Sequence, residues 1–376
     1  MHFFRRILFA FVAIAGLAAA GPVLFSVTPI QLPSGYSVDA FPGINNLGQV
    51  AGGVLGPGNT QSLFISNGSS FTLVSIPSGW SPQQVYINNA GQIAGWADVP
   101  ATPTSVAFFG TAAGVSAIPT PPETLQPGQV PGTSITGLNN SGEVVGSTAT
   151  SQGLEAFVGT SAGITLLPYT IGAGINDQGQ LLVEGGSVPQ SFILTGSNAV
   201  PIPGPVGGTG LNNADQVVSA FPQSSVSTIG GVTVIPFPSG TDESLFAFIN
   251  NAGVVAGTDV SQENPAVRAS WIWDPVNGLQ LISAPAGWTI ESVEGINDLG
   301  QILAVASFSD SSTSSLGAQA SFTGDVILTQ ATPEPTTSSM VLLGISVAIV
   351  ARVVRKSQVR ADLLRNRESR ARASFS

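Results

Sequence analysis

The chain has 376 residues, no cysteine and one histidine, His2, with 11 Lys and Arg against 21 Asp and Glu. The missing cysteine excludes disulfides and thiolate sites. Beyond residue 20 there is neither histidine nor, before residue 356, lysine. This removes Ser–His and Cys–His couples, zinc sites of His and Cys, and Schiff-base chemistry from that stretch. Residues 21–351 carry a single cation, Arg268, so nothing there can neutralise phosphates and no nucleic-acid partner is expected.

Residues 1–20 place Arg5 and Arg6 before the apolar run ILFAFVAIAGLAAA. A charged start, an apolar run and small residues at its end predict a secretory signal peptide, cut between Ala20 and Gly21. A short membrane anchor is the other reading of the run.

Between residues 44 and 302 one pattern recurs seven times, beginning at Ile44, Ile87, Leu138, Ile175, Leu211, Ile249 and Ile296. Each copy reads aliphatic-Asn-Asn/Asp-x-Gly-Gln-aliphatic with small variations, as in Ile87-Asn88-Asn89-Ala90-Gly91-Gln92-Ile93. The steps of 43, 51, 37, 36, 38 and 47 residues mark a repeat architecture. Asn and Asp close Asx-turns, and Gly supplies the positive φ that a hairpin with a bulge requires. Asp215 replaces the glycine in the fifth copy, a tolerated exchange at positive φ.

Each repeat reads as about four short strands separated by turn residues. Small residues follow the turn, as in Ala51-Gly52, Ala94-Gly95, Val145-Gly146 and Ala256-Gly257, where neighbouring sheets would converge. Downstream an aromatic ring follows a small residue at Ala107-Phe108, Ala156-Phe157, Ser191-Phe192, Ser270-Trp271 and Ser321-Phe322. An aliphatic strand then ends in proline, as at Ile76-Pro77 and Ile118-Pro119, where pairing should stop.

Alternation of the Asn-Asn hairpin with an Ala-Phe strand resembles the HAF-repeat family of secreted bacterial proteins, over residues of about 36–330. The histidine of that family's triplet is absent here, and the resemblance implies no catalytic residue. The expected fold class is all-β: residues 21–330 as a seven-bladed β-propeller built from the seven repeats. An open β-solenoid or sandwich array is the rival. For ring closure, Phe25–Pro33 resembles the last strand of a repeat, and Val326–Leu328 competes for the same place.

The segment 331–376 contains Pro333-Glu334-Pro335, an apolar stretch and a basic tail. A transmembrane helix over about 336–354 would span a bilayer core, with the tail 355–376 on the cytoplasmic side. This arrangement resembles the PEP-CTERM sorting signal, with Pro333, Glu334 and Pro335 as the sorting motif. The resemblance implies an exosortase-type processing enzyme as partner, transient anchoring in the inner membrane, and delivery to the cell surface or outside. A plain membrane anchor is the alternative.

No catalytic, cofactor-binding or metal residue is assigned. Carboxylate pairs such as Glu291 with Glu294, or Asp242 with Glu243, could serve a glycoside hydrolase, but nothing in the sequence places such a pair across a pocket, and solvated acids on loops are the favoured reading. Asp177 and Asp298 are too sparse for a calcium cage and read as turn residues. Trp80 and Trp288 occupy equivalent positions, which repeat packing explains without a sugar ligand. The expectation is a non-enzymatic exported protein without cofactors, binding exopolysaccharide or a surface protein. A carboxylate-dependent glycosidase on the same scaffold is the alternative.

Overall fold

Strand follows strand from Val23 to Gln330, interrupted by one short 3-10 turn at Pro57–Asn59. The computed structural model describes residues 22–331 apart from 69, 102–103, 121–131, 187–188, 205–206 and 310–320. The expected signal peptide with its Ala20–Gly21 boundary, Pro333-Glu334-Pro335 and the helix over 336–354 lie outside the described residues. No helix among the described residues is long and apolar enough to cross a membrane.

The fold is all-β, and every Asn motif ends the first strand of an antiparallel series. These first strands are Ser37–Ile44, Ser81–Ile87, Thr133–Leu138, Ile171–Ile175, Gly208–Leu211, Glu243–Ile249 and Trp288–Ile296. In repeats 1 to 6 three further strands follow in chain order, each hydrogen-bonded to the one before. Repeat 7 is completed from the other end of the chain. Its strands Trp288–Ile296, Ile302–Ser309 and Ser321–Gln330 are joined by Val23–Pro29, antiparallel from Phe25↔Gln330 to Pro29↔Val326. The two segments that competed as the closing strand therefore pair with each other: Val326–Leu328 is in the third strand, and Phe25–Pro29 in the fourth.

The turn chemistry is as expected. In repeat 1, Asn45 N–H donates to the Gln49 carbonyl at 3.0 Å and Gly48 N–H to the Asn45 carbonyl at 3.1 Å. The turn glycines have φ between 71° and 80°, and Asp215 adopts 58° in their place. The small residue after each turn has a more specific cause than converging sheets. A Cβ on Gly95 would run into the Gln84 carbonyl oxygen and the Phe108 ring, and one on Gly257 into the Phe246 carbonyl and Trp271. Each glycine lies directly across the ladder from its ring, Gly95↔Phe108, Gly146↔Phe157 and Gly257↔Trp271. The aromatic therefore covers a glycine of its own sheet, against a first strand whose register is shifted by a bulge.

One landmark is displaced. In repeat 7 the residue opposite the equivalent position, Ala304, is Val326, whereas Phe322 lies farther along, opposite Phe308. Ser321-Phe322 is thus not the structural counterpart of Ala107-Phe108; Asp325-Val326 is.

The two faces of the repeat 1 sheet are buried against the repeats on either side. Consecutive residues Leu63 and Phe64 point opposite ways: Leu63 packs with Val85, Ile93 and Phe108 of repeat 2, and Phe64 with Leu303 and Ile327 of repeat 7. That two-sided burial explains the near-continuous apolar runs in the middle strands, and burying such side chains stabilises by about 1.5–3 kcal/mol each. Trp80 packs on Phe108 at 6.3 Å, and Trp288 on Phe308 and Phe322 at 5.2 and 5.6 Å, so both pack on rings of their own repeat, though not on equivalent ones.

Candidate functional site: a carboxyl pair beside the closing strand

The first strands meet at the Asn motifs, and the contacts there exceed a turn. Asn88 Oδ1 accepts from Ala90 N–H at 3.1 Å and Gln92 N–H at 3.0 Å. Its Nδ2 donates to Gln92 Oε1 at 2.7 Å and to the Asn139 carbonyl of the next repeat at 3.0 Å. All four bonding positions of this buried amide are therefore used. The bond to the next repeat runs from Asn45 to Asn88, Asn139, Asn176, Asn212, Asn250 and Asn297, and Asn297 donates back to the Asn45 carbonyl at 2.9 Å.

A second cycle uses the following residue. Asn46 N–H donates to Asn89 Oδ1 at 2.9 Å, and the series continues until Asp298 N–H donates to Asn46 Oδ1 at 2.8 Å. Asp177 and Asp298 belong to this cycle. Asp298 Oδ2 accepts from Asn46 and Asn251 at 2.6 and 2.9 Å, and Asp177 Oδ2 from Asn140 at 2.9 Å. Their oxygens are occupied by N–H donors from the adjoining repeats.

Below these cycles the first strands line an apolar channel of about 590 Å³, with Tyr86, Phe246 and Phe248 on its wall. Phe41, Ile171 and Leu245, also on that wall, are exposed large apolar residues. A cleft of about 910 Å³ between repeats 7 and 1 is walled by Tyr36, Phe41, Trp288 and Phe322. Phe41, Pro42 and Glu294 line both cavities, so channel and cleft meet at Glu294.

Glu294 stands at a bulge of its strand, between Val293 and Gly295. Asp325 lies two strands away, opposite Val305, and lines the cleft. Glu294 Oε2 and Asp325 Oδ2 are buried without a hydrogen-bond partner, and Asp325 is only 5% exposed. Burial, with the Asp325 charge nearby, pushes the Glu294 carboxyl up to about 8. Burial alone pushes Asp325 up to about 6. The other titratable groups on these walls are Tyr36 and Asp39 in the cleft and Tyr86 and Glu184 in the channel. Burial raises the Tyr86 hydroxyl far above its ordinary value. Asp39 accepts from Gln61 Nε2 at 2.6 Å. Glu184 shows what a satisfied buried acid looks like: its Oε1 accepts from Gly207 N–H at 2.6 Å, Gly208 N–H at 3.1 Å and Ser191 Oγ at 3.4 Å.

The structure redraws the candidate pairs. Glu291 accepts from Ser307 Oγ at 2.7 Å and does not line the shared cavities. Glu294 instead shares the cleft lining with Asp325, whose charge acts on it and which sequence reasoning missed. Asp242 accepts from Gln262 N–H at 2.7 Å, and neither it nor Glu243 lines the cleft or channel. Comparing repeats column by column would have singled out Glu294. Three residues before the first asparagine stand Pro42, Val85, Thr136, Ala173, Thr209 and Ala247, then Glu294.

No family model and no curated protein matches the chain. Among solved structures it is similar to a puromycin hydrolase, the S511A mutant complexed with PGG, at 13% identity over 79% of this chain and 55% of that one, TM-score 0.48. A puromycin-hydrolyzing peptidase of Mycobacterium tuberculosis gives 10% identity over 84% and 57%, TM-score 0.49. YCF48 bound to D1 peptide gives 12% identity over 85% and 100%, TM-score 0.44. The chain spans just over half the length of the two hydrolases. Likenesses at these identities and TM-scores carry no activity to this chain.

Proposed function

We propose that the chain is an exported, non-enzymatic β-propeller of seven blades that binds an extracellular partner in the cleft beside its closing strand. The propeller reading is supported by the two hydrogen-bond cycles, each of which visits every repeat once and returns to its start. Pairing of Val23–Pro29 with Ser321–Gln330 adds the join of first and last strands that a closed ring needs. Export and surface sorting are proposed from the sequence: the run ending at Ala20-Gly21, and Pro333-Glu334-Pro335 before an apolar stretch and a basic tail. An exosortase-type enzyme is the proposed processing partner. Replacing Pro333-Glu334-Pro335 by alanines should leave the protein membrane-bound in its native host; unchanged release would defeat the sorting proposal.

The observation that carries the binding reading is the cleft itself, with aromatic walls and two carboxyl oxygens left free of any protein donor. Exopolysaccharide or a surface protein is the proposed partner. A second reading, a carboxylate-dependent glycoside hydrolase, is favoured by the same pair: near neutral pH Glu294 holds its proton while Asp325 is largely ionised, the split that such chemistry uses. A panel of polysaccharides separates the two. Saturable retention without turnover supports binding; turnover abolished in both Glu294→Gln and Asp325→Asn establishes the enzyme.

A further inference from the structure

Repeat 7 departs from the repeat pattern at two positions, and both departures meet in one cavity. Glu294 occupies the column in which Thr136 and Thr209 donate to the next repeat, to the Gly172 carbonyl at 2.6 Å and the Ala247 carbonyl at 3.0 Å. Asp325 occupies the third-strand column that holds Leu63, Ala107, Ala156, Ser191 and Ser270 in repeats 1, 2, 3, 4 and 6. The replacements put two acids where the other repeats hold small, apolar or internally bonded side chains. Each keeps an oxygen buried and unpartnered, an arrangement that costs free energy unless something supplies donors.

We propose that the junction of cleft and channel binds a primary ammonium group on an apolar stem, the ammonium held between Glu294 and Asp325 and the stem lying in the channel. The inference rests on the reading of the cleft as a binding site. Complementarity selects the charge. Residues 21–351 contain one cation, Arg268, and its guanidinium donates to the Pro265 carbonyl at 3.2 Å, away from the pair. An ammonium has three donors and can serve both carboxyls, whereas a sugar hydroxyl donates one hydrogen and leaves carboxylate charge buried. Two carboxyls fall short of a calcium cage, and among the described residues no three acids or histidines are grouped to hold a metal. The stem is selected by the wall of the channel, Pro42, Phe246 and Phe248 among its residues. Trp288 and Phe41, aromatic residues of the kind that attract cations, also line the cleft.

Calorimetric titration of the full chain at neutral pH tests this, with three probes: n-hexylamine, the neutral 1-hexanol, and N-acetyl-lysine methylamide. Hexylammonium should bind saturably, and hexanol at least about tenfold more weakly, the loss typical of a charged hydrogen bond. Glu294→Gln and Asp325→Asn should each weaken hexylammonium about tenfold or more without lowering the melting temperature. Binding of the lysine derivative as well points to a lysine side chain of a protein partner; binding of hexylamine alone points to a free amine. The proposal is overturned if neither amine saturates the folded wild type, if hexanol binds as well as hexylamine, or if both variants bind like wild type. Because the hexanol comparison needs no variant, a variant that misfolds leaves the test intact. Loss of amine binding with polysaccharide retention preserved removes this inference alone; loss of both removes the binding reading too.

Discussion

The Asn cycles and the cleft beside the closing strand lie in the same repeats, yet they treat polar groups in opposite ways. In the cycles, the repeated amides are buried, six of the seven bonded at all four positions as Asn88 is and Asn250 at three. In the cleft, two acids that occur in only one repeat are buried and left with open valences. A group present in every repeat answers a need that every repeat has, which is holding the neighbour. A group present once answers no such need, and its burial cost points to a ligand. Glu184 guards against reading every lone acid this way, since it too is singular but its Oε1 accepts from three protein donors.

The sharpest way to break the comparison is to cut one cycle. Asn88→Ala leaves two backbone N–H groups, the Gln92 amide and the Asn139 carbonyl without their partner, and should destabilise by about 4 kcal/mol, read as a drop in the urea midpoint. Asn250→Ala should cost about 1 kcal/mol less, because Val254 occupies the position of Gln92 and the amide makes one bond fewer. Equal losses would show that the Asn88–Gln92 side-chain bond, which lies within one repeat, contributes nothing to stability. Gly95→Ala should cost about 3 kcal/mol, since the new methyl meets a carbonyl oxygen and the Phe108 ring. Gly91→Ala, at φ 72° but with open space around the Cβ, should cost only about 1 kcal/mol.

The cleft makes a pH prediction of opposite character. Glu294 and Asp325 hold protons more tightly folded than unfolded, so folding takes up protons between about pH 4 and pH 8. The stability they contribute is complete below their unfolded values near 4 and is lost as pH rises through about 6 for Asp325 and about 8 for Glu294. Asp259, buried and pushed up to about 6, acts in the same direction. Glu294→Gln removes only the highest of these, so the variant should gain on wild type by about 4 kcal/mol between pH 5 and 9 in thermal unfolding. Parallel profiles would mean that Glu294 is not buried in the way described.

Strands, turns and the odd Asp215 were legible in the sequence because each depends on residues within a few positions. The cycles were not, because the partner of each Asn amide lies 36 to 51 residues on, or 252 where the cycle returns. The closing strand was half legible: Phe25–Pro33 looked like a fourth strand, but only the ladder shows that Val326–Leu328 is its partner rather than its rival. Glu294 was singled out with the wrong companion. Aligning repeat 7 on Ser321-Phe322, four residues too early, hid Asp325 from the column of small residues in which it stands out.

The most direct test is a carbon-13 titration of the Glu294 and Asp325 carboxyls in the folded protein, with and without hexylamine. Apparent values near 8 and 6 are expected for the free protein, falling when the amine is present. Two carboxyls titrating near 4, indifferent to the amine, would contradict the account.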